Sequence, residues 1–90
     1  MGSLGADGKV QAKTLGEADG YVVTLVKAEP TYRGGPHEHA HAEFFYLIEG
    51  TVQNQGIEMS AGDGYAAAQG STHSDFEALT AATYIIIWKL

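Results

Sequence analysis

Short apolar segments alternate with glycine-containing turns along most of this chain. Residues 21–27, which read Tyr-Val-Val-Thr-Leu-Val-Lys, are β-branched and aromatic, a composition typical of a strand. Further strands are predicted over residues 44–49, 51–55, 57–59, 65–68, 71–78 and 83–89. No helix of useful length is predicted. Many short strands joined by glycine turns indicate an all-β protein, either a sandwich or a barrel.

Two of the predicted strands, 44–49 and 84–88, are apolar on both faces. Since side chains alternate along a strand, one face of the first has Phe45 and Leu47, and the other has Phe44, Tyr46 and Ile48. An antiparallel sheet with one solvated face should be polar there, so something must cover these strands. In so small a chain we expect a second subunit, and therefore a homodimer. The alternative is that the strand containing Val22, or the N-terminal arm, folds over them.

Length and charge narrow the range of functions. Ninety residues allow one domain, and a hydrophobic fraction of 44% is ordinary for a globular protein. The chain has 5 Lys and Arg residues against 11 Asp and Glu residues, a formal net charge of −6 at pH 7. Because an acidic protein repels phosphate backbones, we expect no nucleic-acid partner. The same charge suits a small-molecule ligand or a basic partner protein.

The chain has no cysteine, which removes disulfides and thiolate ligands and leaves only nitrogen and oxygen coordination. No basic stretch followed by an apolar run appears near residue 1. The longest apolar run, over residues 84–88, is too short to cross a bilayer. We therefore expect a cytoplasmic protein without membrane association.

Three histidines and one glutamate carry the clearest chemical signal. His37 and His39 begin a His-x-His-x3-Glu segment that ends at Glu43. Alternate residues of a strand face the same way about 6.6 Å apart, so both imidazoles can reach one ion. On a straight strand Glu43 would lie about 13 Å beyond His39, too far to share that ion. The chain must therefore bend over residues 40–42 and return Glu43 on the next strand.

His73 is the fourth predicted ligand. It follows a turn over residues 70–72, and a closed β-barrel would bring its strand opposite the first segment. Together His37, His39, Glu43 and His73 would hold a divalent transition metal such as Fe, Mn, Ni or Zn. These residues do not select among the metals. Four ligands would saturate tetrahedral zinc, whereas octahedral iron or manganese would keep two positions open for a ligand.

Other side chains have supporting roles in this interpretation. His41 lies in the proposed bend, and we expect it to be exposed or to contact a ligating side chain rather than the ion. His41 or Glu77 could serve as acid or base if either faces the opening. The candidate walls of the ligand pocket are Phe45, Leu47, Tyr65, Phe76 and Trp88. An inward aromatic ring is more often core filler than a ligand contact, so each wall residue also has that interpretation.

From residue 31 to residue 90 the chain resembles the cupin superfamily. The first cupin motif, Gly-x5-His-x-His-x3-Glu-x6-Gly, is matched by His37, His39, Glu43 and Gly50. The second, Gly-x5-Pro-x-Gly-x2-His-x3-Asn, is matched by Gly62, Gly70 and His73. Three positions depart from the motifs, with Thr31 for the first Gly, Ala68 for Pro and Glu77 for Asn. These are positions that shape the backbone, so the departures concern loop geometry rather than the metal ligands.

The resemblance implies a double-stranded β-helix, the jelly-roll barrel of cupins, often assembled as a homodimer through one sheet. We expect a single compact domain over residues 13–90, preceded by a flexible segment over residues 1–12. The chain is similar to the cupin domain of zinc-dependent anti-sigma factors and to small dioxygenases of β-diketones or hydroxyacetophenones. In a chain of this length we expect no separate helical, sigma-inhibiting domain like that of those regulators.

Two classes of function follow from the resemblance and the predicted site. The first is a metal-dependent enzyme, of dioxygenase or isomerase type, whose small oxygenated substrate chelates the ion. The second is a non-catalytic module, either a sensor of metal or ligand or a structural cupin that the ion stabilises. The fold does not distinguish them, because this scaffold supports many activities.

Overall fold

The computed structural model describes residues 2–3, 10–34, 37–38, 41–73 and 75–90, with only the backbone described at 2–3, 37–38 and 72–73. These residues form strands joined by turns and bends, without a helix. The strands are β1 (Gly2–Ser3), β2 (Val10–Ala18), β3 (Tyr21–Ala28), β4 (Arg33–Gly34), β5 (His37–Glu38), β6 (Glu43–Glu49), β7 (Thr51–Asn54), β8 (Ile57–Ser60), β9 (Gly64–Ala67), β10 (Thr72–His73), β11 (Phe76–Ala78) and β12 (Ala82–Lys89). Each predicted strand has a counterpart with bounds close to those expected, except the one predicted over residues 71–78.

A six-stranded antiparallel sheet forms one layer, in the order β1-β2-β3-β12-β6-β9. Its centre is the long ladder between β3 and β12, which runs in register from Ala28 opposite Ala82 to Tyr21 opposite Lys89. The strand β2 was not predicted from the sequence. It pairs with β3 along its whole length, with a register shift between Thr14 and Gly16.

The second layer contains a four-stranded sheet in the order β4-β11-β7-β8 and a two-stranded ladder of β5 with β10. Along the chain, β5 follows β4 and β10 precedes β11. The strand β5 pairs antiparallel with β10, and β4 pairs antiparallel with β11. The predicted long strand over residues 71–78 is therefore two short strands. Only the second of these, β11, also pairs with β7.

Apolar side chains from both layers meet between the sheets. Leu47 of β6 and Val26 of β3 come from the first layer, and Val52 of β7 and Ala78 of β11 come from the second. All four are buried. Two antiparallel sheets packed face to face over one core make the protein an all-β jelly roll, as predicted.

The strand β6 alternates between the core and the outer surface, as the sequence pattern predicts. Phe45 and Leu47 are buried, whereas Phe44, Tyr46 and Ile48 are 45%, 51% and 42% exposed. The strand containing Val22 does not cover this outer face, because β3 lies beside β12 within the same sheet. The first layer therefore presents an apolar outer face that the described part of this chain leaves open.

The predicted boundary between residues 12 and 13 falls inside β2, whose first residue, Val10, is buried in the core. The strand therefore begins before the expected domain does. The flexibility of residues 1–12 stays a prediction. Within the described ranges, no helix has the length and apolar character needed to span a bilayer.

Candidate metal centre

The two short strands that contain His37 and His73 pair with each other. The strand β5 is antiparallel to β10, and in their register His73 is the Cα partner of His37. Directly opposed residues of an antiparallel pair have Cα atoms about 4.5–5.5 Å apart. Two positions that are distant in the sequence are thus neighbours in the fold. His39 lies outside the described residues.

Glu43 is the first residue of β6, on the opposite layer from β5 and β10. It is partly buried, and its cross-strand partner is Ala67 of β9. Because residues two apart share a face of a strand, Glu43 lies on the core-facing side with Phe45. His41 stands in a bend before β6 and is exposed. The bend at His41 lies within residues 40–42, where the reach of Glu43 predicts one.

A cavity of about 100 Å³ opens beside Glu43. Strands of both layers contribute to its walls. The lining residues are Tyr32, Gly34, Glu43, Phe45, Tyr65, Phe76, Tyr84 and Ile86. The cavity thus combines one carboxylate and three phenols with an otherwise apolar surface.

Four aromatic rings pack together along one side of the cavity. Phe45 stacks on Tyr65 with ring centroids 4.8 Å apart and an interplanar angle of 11°. Phe45 also lies 4.8 Å from Tyr84 and meets Phe76 edge-on at 5.8 Å. Phe76 and Tyr84 meet edge-on at 5.5 Å. Offset and edge-to-face arrangements of this kind are favourable, so the rings form a continuous aromatic wall.

The protonation of two of these phenols follows from their surroundings. Burial raises the pKa of Tyr65 above its usual range, and the nearby Glu43 carboxylate raises it further. Burial also raises the pKa of Tyr84, with smaller contributions from Tyr32, Tyr65 and Glu43. Both phenols are therefore neutral near pH 7 and can donate hydrogen bonds, but they are poorly suited to act as bases.

The predicted wall residues lie in different places. Phe45, Tyr65 and Phe76 line the cavity, whereas Leu47 is fully buried in the core between the sheets. Trp88 is not among the lining residues, and its indole Nε1 donates a hydrogen bond to Thr24 Oγ1 at 2.9 Å.

Glu77 faces away from the cavity. Its neighbours in β11, Phe76 and Ala78, are buried, so alternation directs Glu77 to the outer side of the sheet. There its Oε1 accepts a hydrogen bond from Arg33 Nη2 at 3.1 Å. Arg33 is largely exposed, so this ion pair contributes little to stability.

The sequence interpretation missed four lining residues, Tyr32, Gly34, Tyr84 and Ile86. Tyr84 and Ile86 could have been found from the sequence, because they are two residues apart in β12 and therefore share a face of the sheet. Tyr32 lies just before β4 and has no periodic signal around it. Its place in the cavity depends on how the two layers pack.

The donor set suits a divalent transition metal. Imidazole and carboxylate groups are common ligands of such ions, and the paired backbone of β5 and β10 brings two of the predicted positions together. Among the residues whose side chains are described, no three His, Asp or Glu side chains converge. Three of the four predicted ligands lie outside that set.

The jelly roll, with both histidine motifs meeting at one end, is the architecture of the cupin superfamily. The sequence profile of the family described as "ChrR Cupin-like domain" matches residues 4–90, so the chain belongs to that family. No curated protein sequence matches the chain.

Solved structures with the same fold include several larger proteins. A chain from the complex of Rhodobacter sphaeroides SigE with the anti-sigma ChrR has a TM-score of 0.83 at 18% identity, covering 96% of this chain and 47% of its own length. Acetylacetone dioxygenase from Acinetobacter johnsonii has a TM-score of 0.80 at 11% identity, covering 89% of this chain and 59% of its own length. This protein is therefore similar to only a part of either structure.

A third structure is nearer in sequence. A cupin-2 domain containing protein from Shewanella frigidimarina is 30% identical, with a TM-score of 0.76, and covers 89% of this chain and 80% of its own length. At this identity the likeness supports membership of the superfamily as well as the shared fold.

Proposed function

We propose that this protein binds a divalent transition metal through His37, His39, Glu43 and His73, and a small oxygenated ligand beside it. The observation that carries the proposal is the register of β5 and β10, in which His37 and His73 are cross-strand partners. The cavity next to Glu43 offers space for the ligand. The metal could be Fe, Mn, Ni or Zn, since all accept nitrogen and oxygen donors.

Enzymatic action of dioxygenase or isomerase type is the preferred form of this function. A bound ion would supply Lewis acidity and open coordination positions. The chain itself contributes the aromatic wall around Phe45, which keeps water from the ligand. The phenols of Tyr65 and Tyr84 can orient the oxygen atoms of the ligand by hydrogen bonding. Fold likeness to an acetylacetone dioxygenase supports an oxygenated small molecule as the substrate.

The second candidate is a non-catalytic sensor or structural module. The family match to ChrR cupin-like domains favours it, because one solved relative is an anti-sigma factor bound to its partner SigE. In this case the ion would stabilise the domain or report a ligand to a partner protein.

Metal retention by point variants tests the site. We expect His37→Ala and His73→Ala each to lose the metal that co-purifies with the wild-type protein, measured by elemental analysis. His41→Ala is the matched control, because His41 is exposed in the bend, and it should retain the metal. Equal metal content in all four proteins would contradict the proposed ligand set.

Oxygen uptake separates the two candidate functions. The protein loaded with Fe(II) is mixed with acetylacetone or 2-hydroxyacetophenone, and oxygen is followed with an electrode. Consumption that depends on the ligand and is lost in His73→Ala would support the enzyme. The opposite result would support the sensor or structural module. In that case the fully metal-loaded protein consumes no oxygen and does not convert the organic ligand, and the ion stabilises the fold.

We also propose that the protein is a homodimer that buries the apolar outer face of the six-stranded sheet. Phe44, Tyr46 and Ile48 project from this face although they are large and apolar. A patch of this kind marks an interaction surface, and a two-fold axis lets the same patch on two copies cover itself.

A further inference from the structure

A polar row crosses one end of the outer face of the six-stranded sheet. The strand ladders place its residues side by side on β2, β3, β12 and β6, in the order Gln11, Lys27, Thr83 and Glu49. Lys27 and Glu49 are exposed, and they flank Thr83 on its two sides. Because adjacent strands are about 4.8 Å apart, the backbone positions of these two oppositely charged residues are about 10 Å apart.

A register shift in β6 directs Glu49 outwards. Strict alternation from the buried Leu47 would turn Glu49 towards the core. The ladder of β6 with β12 shifts between Thr83 and Tyr84, so that Leu47 pairs with Tyr84 and Glu49 pairs with Thr83. A bulge of this kind adds one residue to a strand and changes the direction of the side chains beside it. Glu49 therefore shares the outer face with Thr83.

The polar row borders a recess in the outer face. The recess has a volume of about 430 Å³, and all four residues of the row line it. It is larger than the cavity beside Glu43. Charged side chains of a second molecule therefore have space to approach Lys27 and Glu49 at this end of the face.

Two apolar rows cross the same face further along the strands. From β3 through β12 to β6, the first row is Leu25, Ile85 and Tyr46, and the second is Val23, Ile87 and Phe44. In all three rows β12 lies in the middle. The face is therefore apolar over two rows, and in the third row it has opposite charges on the two sides of β12.

Two copies of this face can pack with aligned strands in two ways. Sheets packed face to face in alignment keep their strand directions within about 30° of each other, so a two-fold axis between them lies either along the strands or across them. An axis across the strands would exchange the two ends of the face. Lys27 would then lie against Val23 of the other copy, and Glu49 against Phe44. Burying each charge against an apolar side chain is costly, so this packing is unfavourable.

We propose that the two-fold axis of the homodimer runs along β12, and that Lys27 of each protomer forms an ion pair with Glu49 of the other. The inference rests on the homodimer proposed above. An axis along β12 exchanges the two sides of that strand and leaves every row opposite its own copy. The apolar rows then cover each other, with Leu25 against Tyr46, while the two charges of the polar row are paired.

Charge reversal followed by mixing tests this arrangement. In a dimer of Lys27→Glu two glutamates would face each other at both ends of the axis-related pair, and in a dimer of Glu49→Lys two lysines would. Each variant alone should therefore have a dissociation constant about 10-fold or more above that of the wild-type dimer, measured by sedimentation equilibrium. In an equimolar mixture each reversed residue meets an opposite charge on the other chain, so the dissociation constant should return to the wild-type value.

The mixture separates this ion pair from other effects of charge. The two variant chains together have the same net charge as two wild-type chains, so total charge does not explain a recovery. Within each variant, positions 27 and 49 have the same sign, so attraction within one chain does not explain it either. Glu58→Lys is the matched control, because Glu58 is exposed on β8 of the other sheet, and this variant should dimerise at least as tightly as the wild-type protein.

Lys27→Gln and Glu49→Gln are the second pair of variants if charge reversal prevents folding. Their mixture restores one of the two ion pairs, and it should dimerise more tightly than either variant alone. A wild-type protein with the mass of a single chain at every concentration would overturn the proposed homodimer and this inference with it. A wild-type dimer that the single variants do not weaken, or that mixing does not restore, would overturn this inference alone.

Discussion

Among single residues, the tyrosines of the cavity show most clearly how environment changes chemistry. Tyr84 is buried against Phe45 and Phe76, and burial raises its pKa because the phenolate would lose its hydration. The same phenol on the surface would titrate near 10.0. The folded protein therefore keeps a proton on Tyr84 that the unfolded chain releases in alkaline solution.

This difference predicts a loss of stability at high pH. Above the unfolded pKa the unfolded chain binds fewer protons than the native protein, so the free energy of unfolding falls as pH rises. One such group contributes a slope of about 1.4 kcal/mol per pH unit above pH 10. Tyr84→Phe removes this group, and urea unfolding of the metal-free proteins between pH 9 and about pH 11 should show a shallower fall for the variant.

Tyr21→Phe provides the control, because Tyr21 is exposed and the ammonium group of Lys89 lies over its ring. Its slope should equal that of the wild-type protein. Parallel curves for wild type and Tyr84→Phe would show that the phenol ionises equally in the folded and unfolded states.

Turns between strands depend on glycine for two separate reasons. The hairpin between β7 and β8 has positive φ angles at Gln55 and Gly56, 50° and 81°, as a tight two-residue turn requires. Gly50, between β6 and β7, also has a positive φ angle, 91°, and it additionally packs against the backbone of Ala81. One glycine is needed for its conformation, and the other for conformation and space.

We expect alanine at these two positions to have different effects on stability. A Cβ at position 50 would overlap the carbonyl oxygen of Ala81, whereas one at position 56 would meet nothing within 4 Å. Gly56→Ala should cost about 1 kcal/mol, mainly for the left-handed backbone. Gly50→Ala should cost about 3 kcal/mol, because overpacking against rigid backbone adds to that strain.

Chemical denaturation of the two variants measures the difference. Gly56→Ala is the internal control, since it has the same change of side chain at a similar φ angle without the close contact. Equal losses in the free energy of unfolding would mean that the β6–β7 turn relaxes away from Ala81 at little cost.

Over the entire domain, the two faces of the six-stranded sheet have different surroundings. The inner face packs on the second layer through residues such as Leu47, while the outer face exposes Phe44, Tyr46 and Ile48. Large apolar patches on soluble proteins mark interfaces. The outer face is therefore the surface through which we propose that two copies associate.

A charge placed on this surface should separate the subunits. We expect the wild-type protein to have twice the 9.5 kDa mass of one chain in light scattering after gel filtration. Tyr46→Lys should shift the protein towards the single-chain mass, because a dimer would have to bury two unpaired ammonium groups.

Ile57→Lys is the control, since Ile57 is highly exposed on β8 of the other sheet. It should remain a dimer. A wild-type protein of 9.5 kDa would contradict the proposed assembly, and loss of the dimer in both variants would place the interface elsewhere.

Local sequence patterns predicted most strands, whereas the metal ligands of the candidate site stay a prediction. Alternation assigned Phe45 and Leu47 to the core, and glycines marked the ends of strands such as β6 and β7. The strand β2 was not predicted, because glycine at position 16 is unfavourable within a strand, although pairing with β3 keeps residues 10–18 extended. In that case tertiary pairing outweighed local preference.

Three features follow from the sequence alone: which side of a strand a residue faces, where the turns lie, and how the metal motifs are spaced. Each of these depends on neighbours within a few positions of the sequence. Two other features follow only from the folded structure, apart from what family resemblance suggested. One is the pairing of His73 with His37, and the other is the cavity on which Tyr32, Tyr84 and Phe45 converge. These contacts depend on which strands become neighbours and how two sheets pack. Leu47 and Phe45 share a face of the same strand and are both buried in the core, yet only the packing of the two layers makes Phe45 also line the cavity.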